Sequence, residues 1–180
     1  MKDILSEGIK KDESKEVLTV HFSALVAGAL SKYVGRASDE SVNRFAQLMV
    51  DEIEELDRES PDACYRFLFP KRISPSNIPN SGLSPERVQQ TLEAESEVFR
   101  SAIHNPQPFP DTKRSGVLLD EASTSLTNQF GNDILLLQKT AIGESERHKT
   151  CQMSAFLYKD ILKFKAEDSS LVLRSMFSQK

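Results

Sequence analysis

The sequence contains no tryptophan, only two cysteines and only seven glycines among its 180 residues. Two cysteines are too few for the multiple disulfides that stabilise small secreted domains, and no glycine-rich phosphate loop is present. Scarce glycine and few β-branched runs, with abundant leucine, alanine, glutamate and lysine, favour helix over strand. A chain of this length can bury a core as one domain. We therefore predict a single all-α domain.

A strong excess of one charge and a long uncharged hydrophobic run are also missing. The net charge is −4 at pH 7, which gives no general attraction to nucleic acid or to an anionic membrane. In the most apolar stretch, 17–34, the uncharged run ends at Ser31, short of the ~18–20 residues that a membrane span needs. The N-terminus has no apolar region typical of a signal peptide. We expect a protein partner, without nucleic acid or membrane insertion, and the sequence leaves the oligomeric state open.

Hydrophobic residues spaced three and four apart predict a bundle of about six to seven helices. Residues 1–12 are interpreted as a frayed tail and 13–180 as the helical domain. The first helix, 13–34, is apolar or small on every face over much of its length, which is typical of a buried helix. We therefore expect it at the centre of the bundle, with Gly35 ending it in a left-handed conformation.

Local signals mark the other helices and the loops between them. Three serines are good N-caps before an acid or a proline: Ser38, Ser60 and Ser84. Prolines in 70–83 and 105–112 predict two loops. The hydrophobic register continues past Gly131, so one long helix from about 115 to 142 is preferred to a break at that glycine.

The C-terminal third predicts two more helices, from about 144 to 164 and from 168 to 177, with Asp168 as the cap of the second. Residues 154–177 also align without a gap to residues 46–69. Both segments consist of a long helix, a polar turn and a short helix that ends in R-x-x-F. Shared helical periodicity is the favoured explanation, and a duplicated helical unit is the alternative.

The two cysteines, Cys64 and Cys151, have two interpretations. The favoured one is a pair of separate, inert thiols on the apolar sides of helices. The other is a long-range disulfide, which would place the protein outside the cytoplasm; without it the sequence as given favours the cytoplasm. His148 and Cys151 share one helical face, but no second ligand pair is evident, and a structural zinc site needs four ligands. We predict no metal and no cofactor.

Polar residues beside or within the apolar faces of helices are the remaining candidates for ligand contact. They are Arg66, Arg174, Glu52, Glu95 and His21. A carboxylate that points inward needs a partner, because burying it alone is costly. We therefore expect the two arginines to pair with the two inward acids and tie the short helices to the bundle. His21 is interpreted as a histidine of the core.

No catalytic constellation is recognisable, since the sequence has no G-x-S-x-G elbow and no phosphate loop. The favoured function is a protein-interaction or structural module without catalytic activity. A hydrolase-like enzyme with an unfamiliar pocket formed by the inward polar residues is the first alternative. The second is a soluble domain of a membrane-anchored, bacterial-type envelope protein, which predicts a disulfide between Cys64 and Cys151.

Overall fold

The computed structural model describes residue 26 and residues 28–69, 83–139 and 142–178. Within these ranges the chain is helical and has no strand, so the all-α prediction is confirmed. A helical segment at 28–33 is followed by six α-helices: α1 (Asp39–Glu59), α2 (Pro61–Leu68), α3 (Pro85–His104), α4 (Thr112–Phe130), α5 (Glu144–Leu162) and α6 (Ala166–Phe177). None of the described helices combines the length and the hydrophobicity that crossing a bilayer requires.

The three predicted serine caps are confirmed. Ser38, Ser60 and Ser84 each accept a hydrogen bond from the backbone N–H three residues further on. This bond satisfies one of the N–H groups that the first helical turn leaves without a partner. In α2 and α3 the first helical residue is proline, whose missing N–H costs nothing there.

The centre of the described fold belongs to α1, which packs against α2, α3, α5 and α6. Its buried side chains form one broad stripe: Val42, Phe45, Ala46, Val50, Ile53 and Leu56. The predicted central helix, 13–34, lies mostly outside the described residues, as do the predicted tail and His21. Its described end, 28–33, is half-buried or exposed and carries Ser31 and Lys32, which keep that part of the helix near water.

Gly35 does not end the first helix in a left-handed conformation. A 3-10 turn, Val34–Arg36, leads instead into extended backbone at Ala37. Gly35 is buried, and a Cβ atom there would collide with the Ser178 hydroxyl and press on the ring of Phe109. The glycine thus lies where other parts of the chain approach closely, and a larger residue there would require the Ser178 hydroxyl to turn away.

The prediction of one long helix over 115–142 is wrong. The helix begins earlier, because the Asp111 carboxylate accepts hydrogen bonds from the N–H groups of Lys113 and Arg114. It ends at Phe130, since Gly131 adopts a φ of 54° and a ψ of −130°. The chain then continues as a 3-10 segment, Gly131–Gln138. Periodicity did not reveal this break, because the hydrophobic spacing runs on across the glycine.

The last helix also begins before its predicted cap. It starts at Ala166, so Asp168 lies in the first turn, where a negative charge favours the helix dipole. The carboxylate of Asp168 binds the guanidinium of Arg114 in α4. A contact between helices thus uses the acid that was expected to cap its own helix.

The two helix pairs that align in sequence, α1 with α2 and α5 with α6, pack against each other. The short helix α2 packs on α5, and the short helix α6 packs on α1. Two contacts between the pairs are related by the same shift of 108 residues. Asp39, at the start of α1, accepts a hydrogen bond from Ser170 of α6. Arg147, 108 residues after Asp39 and near the start of α5, binds Asp62 of α2. Ser170 and Asp62 are themselves 108 residues apart. A duplicated unit would produce this arrangement, and the duplication itself stays a prediction.

Candidate functional site

The acid Glu52 lies at the interface between α1 and α3, and Glu95 is half-buried on α3, close enough for its charge to act on Glu52. Glu52 is 3% exposed and accepts a hydrogen bond of 2.5 Å from the hydroxyl of Thr91. Burial raises the pKa of Glu52; the hydrogen bond from Thr91 opposes this rise and the charge of Glu95 adds to it. Burial also raises the pKa of Glu95. Glu52 and Glu95 are therefore two neighbouring carboxyl groups that bind protons more tightly than exposed glutamates do.

Arg87 is a cation whose charge acts on Glu52, and the sequence did not single it out. Its guanidinium lies 3.1 Å from Oδ2 of Asp51 and 3.2 Å from Oε2 of Glu55. The backbone N–H of Ser84 and the side chain of Arg87 lower the pKa of Glu55. Two sequence features could have pointed to this contact of Arg87 with Asp51 and Glu55: the basic residue in the first turn of α3 and the acidic face of α1. Their meeting depends on the register between the helices, which the sequence does not give.

Arg66 and Arg174 do not form the predicted pairs with the inward acids. Nη2 of Arg66 lies 2.7 Å from Oδ2 of Asp62, one turn earlier in the same helix. Arg174 is buried, donates a hydrogen bond to the carbonyl of Pro108 and lies 3.5 Å from Oδ1 of Asp39. Arg174 thus reaches the start of α1, about 20 Å along the axis from Glu52. It ties α6 to α1 through a different acid from those expected.

The structure joins Cys64 of α2 to Cys151 of α5 in a disulfide. Their Cα atoms lie 6.3 Å apart, and both side chains are fully buried beside Ile53 and Leu56 of α1. The structure therefore contains the disulfide, which was the alternative interpretation, and not the two separate thiols that the sequence favoured. Periodicity placed each cysteine on an apolar helix side, but it could not show that the two sides face each other.

Asp57 and His148 lie next to this disulfide. A carboxylate oxygen of Asp57 and the two sulfur atoms lie within 4.8 Å of one another. Nδ1 of His148 is 2.9 Å from Oδ1 of Asp57, and Nε2 of the same ring is 3.0 Å from the side-chain nitrogen of Gln152. We call Asp57, Cys64, His148 and Cys151 the sulfur cluster. The sequence had paired His148 with Cys151 on one face, and the fold adds a residue from each of two other helices.

Exposed apolar side chains follow one side of α3. Leu92 is 46% exposed and Ile103 is 59% exposed, although the opposite side of the helix is buried against α1. Spacings of three and four residues place five side chains in one row, which we call the α3 face: Val88, Leu92, Glu95, Phe99 and Ile103. The ring of Phe99 meets that of Tyr33, with centroids 6.0 Å apart. The rest of the row forms an apolar surface with one carboxyl group near its middle.

An open polar groove of 410 Å³ lies at the start of α1. Its walls are formed by Ser38, Glu40, Ser41, Arg44, Glu97, Arg100 and Ser101. The charged groups of Arg44 and Glu97 pair with each other at 2.6 Å, and the hydroxyls of Ser41 and Ser101 hydrogen-bond at 2.9 Å. None of the described candidate residues from the sequence lines this groove, so it is separate from the inward acids.

Comparisons with the models of known protein families, with curated proteins and with solved structures found no match. His21, the remaining candidate, lies outside the described residues. A functional proposal therefore depends on the geometry of this chain alone.

Proposed function

We propose that the chain is a protein-interaction module that binds a basic amphipathic helix on the α3 face. The observation that carries the proposal is the exposure of Leu92 and Ile103 in a row along a helix whose other side is buried. Contiguous apolar surface on a folded protein typically marks a site of association. A partner helix would present apolar side chains at the same spacing of three and four residues.

The charges around the α3 face select a basic partner. Glu95 lies within the row, where burial already raises the pKa of its carboxyl group. A lysine or arginine of the partner would stabilise the charged form of Glu95, and the net charge of −4 would favour its approach.

A synthetic helical peptide with leucines on one side and lysines on the other tests the proposal. We expect the full chain to bind it, with a change in the fluorescence anisotropy of a labelled peptide. Leu92→Glu should weaken binding at least tenfold, because it places a charge in the middle of the apolar row. The matched control is Leu135→Glu in the 3-10 segment, where the leucine is 56% exposed. A peptide with the same composition but scrambled apolar spacing controls for charge alone.

Two results would overturn this proposal. One is equal peptide binding by Leu92→Glu and by the control variant. The other is a fall in Tm of many degrees for Leu92→Glu but not for Leu135→Glu, because the α3 face would then already be covered within the chain. We expect both substitutions to leave Tm nearly unchanged, since both leucines are exposed.

The disulfide favours a second candidate, in which the module works outside the cytoplasm, as a domain of an envelope protein would. Stable disulfides form and persist in oxidising compartments. Mass measurement of freshly isolated, denatured protein after thiol alkylation tests this candidate. Alkylation of both cysteines only after reduction supports it, and alkylation of both without a reductant contradicts it.

A further inference from the structure

Three helices bring three metal-binding side chains together at the sulfur cluster, and His148 lies beside them in contact with the Asp57 carboxylate. Asp57 comes from the last turn of α1, Cys64 from α2, and both His148 and Cys151 from α5. The Asp57 carboxylate links the two halves of the cluster, because it lies within 4.8 Å of both sulfurs and 2.9 Å from the ring nitrogen of His148. Two sulfurs, one imidazole nitrogen and one carboxylate oxygen make the four ligands that a tetrahedral zinc site requires.

We propose that reduction of the Cys64–Cys151 disulfide turns the sulfur cluster into a zinc site. A small dithiol supplies two electrons and two protons, so that the S–S bond breaks, two thiols form and the dithiol becomes a cyclic disulfide. Binding of Zn²⁺ then releases both thiol protons and forms two Zn–S bonds. Asp57 and His148 provide the other two ligands. The disulfide and the metal site are mutually exclusive, because both use the same pair of sulfurs.

The surroundings of the cluster fit a closed metal site. Both sulfurs are fully buried beside apolar residues, and the Asp57 side chain is only 13% exposed. His148 is half-exposed and leaves a path for the ion. The side-chain amide of Gln152 already contacts the second ring nitrogen. Because the amide nitrogen of Gln152 can only donate, Nε2 accepts this bond and Nδ1–H donates to Asp57; metal binding through Nδ1 would move the ring proton to Nε2, toward which Gln152 would turn its amide oxygen.

Cobalt(II) is the probe for this site, because tetrahedral thiolate coordination gives it strong sulfur-to-metal charge-transfer and visible bands. We expect the full chain, reduced and kept free of oxygen, to bind one cobalt ion with these bands, and zinc to displace it. The oxidised chain should show neither the cobalt bands nor any displacement by zinc. Asp57→Asn and His148→Gln should each weaken metal binding at least tenfold. The matched controls, Asp160→Asn and His104→Gln, lie outside the cluster and should bind as the unchanged chain does.

Several outcomes would overturn the metal site. They are a reduced chain without cobalt bands, equal binding by the oxidised chain, or equal binding by the Asp57 and His148 variants and their controls. If the reduced chain unfolds, its helicity is followed by circular dichroism while zinc is added. Recovery of helix upon adding zinc then supports the site, and failure to recover contradicts it. Because the α3 face takes no part in this test, the result is independent of peptide binding.

Discussion

The hydroxyl of Thr91 in α3 donates a hydrogen bond to Oε1 of Glu52 in α1. This contact gives the buried Glu52 carboxyl group a partner from the neighbouring helix. It does not neutralise the group, and Arg87, whose charge acts on Glu52, pairs with Asp51 and Glu55 instead. The main interface of α3 with the centre of the fold thus contains a carboxyl group whose charged form is only partly compensated.

We predict that Glu52→Gln stabilises the protein at neutral pH. Burial raises the pKa of Glu52 above its ordinary value of 4.5, so the folded chain binds the proton more tightly than the unfolded chain does. The stability that the folded chain gains from binding this proton is therefore fully present below pH 4.5, and it is lost as pH rises through the raised pKa of Glu52. Glutamine keeps an oxygen that can accept the hydrogen bond from Thr91, but it carries no charge.

Thermal unfolding as a function of pH measures this effect. The Tm of Glu52→Gln should equal that of the unchanged chain below pH 4.5 and exceed it by a few degrees at pH 7. Glu93→Gln, at an exposed acid of α3, is the control and should leave the pH profile unchanged. If the Tm values of Glu52→Gln and the unchanged chain run in parallel at all pH values, the buried charge does not destabilise the fold.

The disulfide should contribute substantially to stability. It closes a loop between residues 87 positions apart, and the chain-entropy account assigns such a cross-link roughly 4–5 kcal/mol. In a chelating buffer, reduction should therefore lower Tm by on the order of 10 °C. Calorimetry with and without reductant measures this, and the double variant Cys64→Ala/Cys151→Ala should be insensitive to reductant. A reduced chain with unchanged Tm would show that the cross-link adds nothing to the fold.

Gly131 should resist replacement more than Gly116 does. Its φ of 54° with a ψ of −130° lies in a sparsely populated region that side chains avoid, so Gly131→Ala should destabilise the fold by about 1–3 kcal/mol. Gly116 lies inside α4, and a Cβ atom there would meet open space. Gly116→Ala should therefore be neutral or stabilising by up to ~1 kcal/mol. Urea unfolding of both variants measures the difference, and equal effects would contradict the assigned backbone at Gly131.

The sequence by itself determined the helical class and those helix starts that depend on contacts within a few residues. The caps at Ser60 and Ser84 are examples, because the serine hydroxyl and the N–H that it binds lie three residues apart. The faces that carry His148 and Cys151 likewise follow from the helical repeat. The break at Gly131 was missed because hydrophobic spacing reports which side is apolar and not which φ a glycine adopts.

Only the tertiary structure decided which of these faces meet. Asp57 and Cys64 join His148 and Cys151 because three helices cross at one level, and Thr91 reaches Glu52 because α3 lies beside α1 in one register. The same holds for the central position of α1 within the described residues. Periodicity within a helix carries no information about its sliding or rotation against another helix. Those two quantities are set by the packing of side chains that are distant in the sequence.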